Sequence, residues 1–139
     1  NGVDSEPLVS PDGRTIAFTS NRTGASRLWR MNIDGSNQTQ LANENGGIAV
    51  SFSQDGNWIF YKEAVTSVIW KVPTLGGQAS EVFDQRYGYD CVFSADGTKF
   101  AYLEKDKQTQ KFAVKMLDAA TAKPLAQFEL PPGETNPLE

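Results

Sequence analysis

Apolar residues come in short bursts separated by polar turns, and the bursts repeat. Ile16-Ala17-Phe18, Ile59-Phe60-Tyr61 and Phe100-Ala101-Tyr102 each begin four residues after an aspartate, at Asp12, Asp55 and Asp96. The aspartates are 43 and then 41 residues apart, a period that marks a repeat architecture. Before each turn lies a short extended piece, Leu8-Val9, Ser51-Phe52 or Val92-Phe93. After the long apolar burst comes a polar loop, then a third burst: Leu28-Trp29-Arg30-Met31, Ile69-Trp70-Lys71-Val72 and Ala113-Val114-Lys115-Met116. A second turn and a weaker fourth strand close each unit, at residues 38–41, 79–82 and 125–128. Four short strands per period, with a turn between each pair, make one blade of a β-propeller.

Failed alternation strengthens that reading. Trp58-Ile59-Phe60-Tyr61 and Val68-Ile69-Trp70 are apolar on both faces, so these strands need cover on both sides, which blade-on-blade stacking provides. Trp29, Trp58 and Trp70 are therefore expected in the core. The Ala- and Lys-rich run from Asp118 to Ala126 invites a helix, but Pro124 interrupts it and the other repeats turn there, so a long hairpin loop is expected.

The three turns read Ser10-Pro11-Asp12-Gly13, Ser53-Gln54-Asp55-Gly56 and Ser94-Ala95-Asp96-Gly97. Asp bonds nearby amides from its side chain, and Gly13, Gly56 and Gly97 take the left-handed conformation that reverses the chain. A catalytic carboxylate is needed once, whereas a turn is needed in every repeat. Asp12, Asp55 and Asp96 are accordingly read as structural. One cation per repeat (Arg30, Lys71, Lys115) is aligned on the third strand and reads as a solvated or ion-paired face rather than an anion stripe.

The phrase Ser-Pro-Asp-Gly-Arg-Thr-Ile-Ala-Phe-Thr-Ser-Asn-Arg at 10–22, followed by Leu-Trp-Arg-Met-Asn-Ile-Asp-Gly at 28–35, resembles the TolB-type WD-like propeller repeat. The likeness covers about residues 7–130 and weakens along the chain. It implies an all-β fold, a propeller segment of about three four-stranded antiparallel blades at 7–47, 48–88 and 89–130, with 131–139 as a tail of the single domain. Such repeats occur in the periplasmic Tol–Pal component TolB, in propellers of prolyl-oligopeptidase-type peptidases, and as domains appended to bacterial kinases and transcription regulators. Complete propellers of the family carry about six or seven blades, so three leave a bare face at each end. Leu28 or Trp29 is expected on the first such face, and Phe112 or Val114 on the last. Two remedies are open, the rest of a longer native chain or a second copy of this one; two copies end to end would supply a six-bladed ring, and a homodimer is expected on that ground.

Composition narrows the chemistry. The 139 residues carry a net charge of −4 and a pI near 4.8, which argues against nucleic acid as a partner. Histidine is absent, removing Ser-His-Asp and Cys-His catalysis and the usual zinc ligand sets. Cys91 is alone, and no apolar run is long enough for membrane insertion. The start at Asn1 in place of Met suggests processing or trimming, and no signal-peptide pattern is present. Gly46-Gly47 and Gly76-Gly77 lack the strand–loop–helix frame of a phosphate cradle. No catalytic residue, metal or cofactor is expected.

The recognition candidate is Arg86-Tyr87-Gly88-Tyr89-Asp90, read as a glycine-hinged loop between blades. Arg86, Tyr87, Tyr89 and Asp90 have the composition of a protein-binding surface. Equally, the two tyrosines plug the gap between neighbouring blades. The expectation is a non-catalytic binding or scaffold module that engages a protein or ligand through inter-blade loops, periplasmic or otherwise extracytoplasmic, with the cytoplasm as the alternative. The competing readings are the propeller of a prolyl-oligopeptidase-type peptidase, and a sensor domain on a kinase or transcription regulator.

Overall fold

The computed structural model describes residues 2–41, 46–63, 65, 66, 68–83 and 88–131, with backbone alone for Phe83 and 88–91. Twelve strands form three four-stranded antiparallel sheets, each with its strands side by side in chain order. The first sheet holds β1 (Asp4–Val9), β2 (Thr15–Ser20), β3 (Arg27–Asn32) and β4 (Thr39–Gln40). The second holds β5 (Ile48–Phe52), β6 (Trp58–Lys62), β7 (Ile69–Pro73) and β8 (Ser80–Phe83). The third holds β9 (Gly88–Phe93), β10 (Lys99–Lys105), β11 (Phe112–Asp118) and β12 (Pro124–Glu129). No helix occurs among the described residues. The stretch from Asp118 to Lys123 is a hairpin turn, closed by Asp118 N–H donating to the Lys123 carbonyl at 2.9 Å.

Successive side chains on a strand point to opposite faces, so each sheet has a leading face and a trailing face. Leading residues sit at even offsets from the turn aspartate: Ile16 and Phe18, Ile59 and Tyr61, Phe100 and Tyr102. Trailing residues sit between them: Ala17, Phe60 and Ala101. The leading face of one sheet packs on the trailing face of the sheet before it. Ala17, Leu28 and Leu41 of the first sheet thus share a core with Phe52, Ile59, Tyr61 and Val72 of the second. Phe60 and Ile69 of the second share another with Phe93, Phe100 and Leu117 of the third.

Three expectations change. Strand pairing matches Ile16 with Met31, Ile59 with Val72 and Phe100 with Leu117. The third repeat therefore slips by one: Met116, not Lys115, is the equivalent of Arg30 and Lys71, while Lys115 takes the place of Trp29 and Trp70. The longer β10–β11 pairing absorbs the extra residue, and Lys115 is ion-paired with Glu104. Second, Trp29, Trp58 and Trp70 are only half-buried: Trp70 packs against the first core from its edge, the Arg22 guanidinium lies over the Trp29 ring, and Lys71 Nζ lies 4.8 Å over the Trp58 ring. Third, Leu28 is fully buried on the trailing side of β3, so of the two residues expected on the first bare face only Trp29 lies on the leading side.

Candidate functional site

The β1–β2, β5–β6 and β9–β10 turns gather at one end of the stack. Each is built by a serine–aspartate relay. Ser10 Oγ donates to Asp12 Oδ1 at 2.6 Å and accepts the Thr15 N–H at 2.9 Å, while Arg14 N–H donates to the same carboxylate oxygen at 3.0 Å. Ser53 with Asp55 and Ser94 with Asp96 repeat the pattern, at 2.6 and 2.5 Å. Gly13, Gly56 and Gly97 have φ of 72°, 71° and 67°, a conformation that disfavours any residue with a Cβ. The serine hydroxyl, followed by the backbone N–H, holds each of the three carboxyls below its ordinary pKa. These carboxylates are occupied in turn geometry. Sequence reading credited the Asp and the Gly and missed the serine; its constant place two residues before each Asp was the available signal.

The turns also touch one another. A Cβ on Gly97 would lie 3.1 Å from Gln54 N, and one on Gly56 would lie 3.9 Å from the Pro11 ring. The result is a ridge of turns carrying Asp12, Asp55 and Asp96, with Arg14 beside the first carboxylate and Lys99 beside the last. The β3–β4 turn adds Asp34, its carboxyl lowered first by the Ser36 hydroxyl, and the β11–β12 turn adds Asp118, lowered first by the Thr121 hydroxyl.

Between the first two turns runs a groove of about 560 Å³, lined by Ser10, Asp12, Asp55, Trp58, Thr74 and Leu75 among others. Thr74 Oγ1 donates to the Gly56 carbonyl at 2.7 Å, which fixes the β7–β8 turn against the ridge. Leu75, at the tip of that turn, is 82% exposed, and Ile33 on the β3–β4 turn is 54% exposed. Apolar tips set among carboxylates give this end the chemistry to hold a ligand with both cationic and apolar groups.

The inter-blade candidate is described only in part. Arg86 and Tyr87 fall outside the described residues. Gly88, Tyr89 and Asp90 belong to strand β9 rather than to a loop, with Gly88 paired to Glu104.

A third feature was not foreseen. Arg22 lies across the leading face of the first sheet, its guanidinium 4.9 Å from the Trp29 ring centre and 5.3 Å from that of Phe18. It donates from Nε to Ser20 Oγ at 2.8 Å and from a terminal nitrogen to Asp4 at 3.0 Å, and also bonds Gln38. Together they wall a concavity of about 260 Å³ over Ile16, Phe18 and Met31. Among the described residues no group of three or more Asp, Glu, Cys or His has the arrangement of a metal site.

Residues 1–133 match the family described as TolB beta propeller domain. An uncharacterized protein of Agrobacterium fabrum is 28% identical over 117 residues, covering 73% of this chain and 40% of that protein. The Tol-Pal system protein TolB of Bordetella pertussis is 47% identical over 34 residues, 24% of this chain and 8% of that protein. Among solved structures, a putative TolB from Agrobacterium tumefaciens superposes with a TM-score of 0.69 at 22% identity, covering 87% of this chain and 48% of that one. The acylaminoacyl peptidase of Pyrococcus horikoshii gives 0.73 at 14% identity, covering 94% of this chain and 25% of that one. At these identities the superpositions show a shared fold. The chain spans less than half the length of these relatives.

Proposed function

The chain belongs to the TolB beta propeller domain family, and from that premise we propose that it is a non-catalytic binding or scaffold module with a protein as its partner. The observation that carries this reading is the groove at the turn-bearing end, where Leu75 and Trp58 sit among Asp12, Asp55 and Asn57. Rigid stacked sheets hold this surface, so little ordering entropy is lost on docking. The partner would bring cationic side chains to the aspartates of the ridge and an apolar group to Leu75. An extracytoplasmic location belongs to the same proposal and rests on the resemblance to TolB.

The peptidase likeness concerns the fold, and a fold hosts many functions. The proposal has this chain turning over no substrate by itself. Hydrolysis of generic esters or peptides by the pure chain, abolished by a point substitution within it, overturns that part. For the binding part, a photo-crosslinking residue at Leu75 should capture a discrete partner from host extract, and one at Thr66 on the opposite end should not. Binding of the purified partner should then weaken roughly tenfold or more in Leu75→Asp. Equal capture from both positions, or unchanged affinity, removes the turn-bearing end as the site.

A further inference from the structure

The chain contains four Asp-Gly steps, at Asp12-Gly13, Asp34-Gly35, Asp55-Gly56 and Asp96-Gly97. Such a step is prone to one covalent reaction, because glycine puts no Cβ in the way. The glycine nitrogen attacks the aspartate Cγ and an N–C bond forms. The nitrogen's proton and the carboxyl's hydroxyl leave together as water, closing a succinimide ring. Water then reopens the ring, and cleavage at the former main-chain carbonyl leaves isoaspartate, with an extra methylene in the backbone. All four aspartates are exposed, so burial does not protect them.

Hydrogen bonds hold both reacting groups at every step. The nucleophile is tied first: Gly13 N–H donates to the Ser10 carbonyl, Gly35 N–H to that of Asn32 and Gly56 N–H to that of Ser53, each at 2.9 Å, and Gly97 N–H to that of Ser94 at 2.8 Å. The carboxylate is tied second. Asp12 accepts the Ser10 hydroxyl and the Arg14 N–H on one oxygen. Asp55 and Asp96 repeat this, with a further bond from Asn57 Nδ2 at 2.8 Å and from the Thr98 hydroxyl at 2.7 Å. At Asp34 the serine lies on the other side of the step, and Ser36 donates both its N–H at 2.9 Å and its hydroxyl at 2.6 Å. Each carboxylate is thus bonded past the glycine, to the residue after it, and its Cγ is not free to swing onto the glycine nitrogen. The serine hydroxyls also keep these carboxyls ionised to lower pH, and a carboxylate is a poorer electrophile than a carboxylic acid.

We propose that this turn chemistry has a second role as a covalent safeguard: it keeps the four Asp-Gly steps from closing to succinimide, so that isoaspartate forms in the unfolded chain and not in the folded one. What is protected is strand register, since turn geometry sets the pairing of the strands it joins and an added methylene would alter it.

The test is to age the full chain at mildly acidic pH, folded in buffer and unfolded in concentrated guanidinium chloride. Isoaspartate is then read at each position by peptide mapping with fragmentation that tells the two isomers apart. All four positions should isomerise roughly tenfold or more faster in the unfolded chain. In folded Ser10→Ala, Asp12 should isomerise roughly threefold or more faster than in the wild type, while Asp55 and Asp96 of the same molecules keep their wild-type rates. Ser94→Ala repeats the test at Asp96 should Ser10→Ala fail to fold. Equal rates in the folded and unfolded wild type overturn the proposal. So does a serine variant that accelerates no site, or all sites alike, since the latter would mean that global opening and not the turn sets the rate.

Discussion

The two sheet–sheet junctions use the same backbone and different side-chain solutions. At the first, the trailing side of β2 offers a small residue, Ala17, and the leading side of the next sheet fills the space with Ile59, Tyr61 and Val72. Gly47 completes the fit: a Cβ there would come within 2.7 Å of the Tyr61 ring. Burial, then the charge of Glu63, pushes the Tyr61 hydroxyl pKa up to about 12. At the second junction the trailing residue is Phe60, and the space is filled by rings. Phe60 stacks on Phe93 at 4.2 Å between centres, and Phe93 meets Phe100 at 4.7 Å. The lesson is that the repeat prescribes which positions meet but leaves their volumes to be matched pair by pair. Core packing is dense enough that each junction needs its own match.

This difference can be broken from either side. Phe100→Ala should have the largest effect, since the ring is 1% exposed and lies between Phe93 and Tyr102. A loss of about 3–5 kcal/mol is expected in denaturant titration. A cost under about 1 kcal/mol would mean the aromatic stack is not what holds the third sheet on. Gly47→Ala attacks the first junction by overpacking and should cost about 1–3 kcal/mol. Replacing Tyr61 by Leu in the same chain should recover part of that loss, because the clash is with the ring; no recovery would mean the constraint on Gly47 lies in the backbone.

The turns supply the smaller effects and should be alike in all repeats. Ser10→Ala removes a hydroxyl that serves both Asp12 and Thr15 and should cost about 0.5–1.5 kcal/mol. The pH dependence follows from the same bonds. Asp12, Asp55 and Asp96 have carboxyl pKa values below the ordinary 3.8 in the folded chain. Their contribution is therefore fully present above that value and is lost as pH falls through the lower folded values. Stability of the wild type should decline below about pH 4, and the triple variant Ser10→Ala, Ser53→Ala, Ser94→Ala should show a shallower acid slope. Parallel slopes would show that the serine hydroxyls do not depress these carboxyls.

Much of this molecule was written in one dimension. A turn is a contact between residues two to five apart, so the Asp-Gly pair could be read directly, and its period counted the sheets. Apolar runs on both faces of β6 and β7 announced cover from two sides. The slip in the third repeat could not be read, because Ala113-Val114-Lys115-Met116 matches the pattern of cations whether or not β11 carries an extra residue. Hydrogen-bond register decided it, and with it that Lys115 pairs with Glu104 while Met116 faces outward. The half-burial of the three tryptophans, the reach of Arg22 over Phe18 and Trp29, and the groove beside Leu75 likewise belong to tertiary structure. Each depends on where a side chain ends relative to a neighbouring sheet, and that distance is set by how the sheets stack, not by any spacing along the chain.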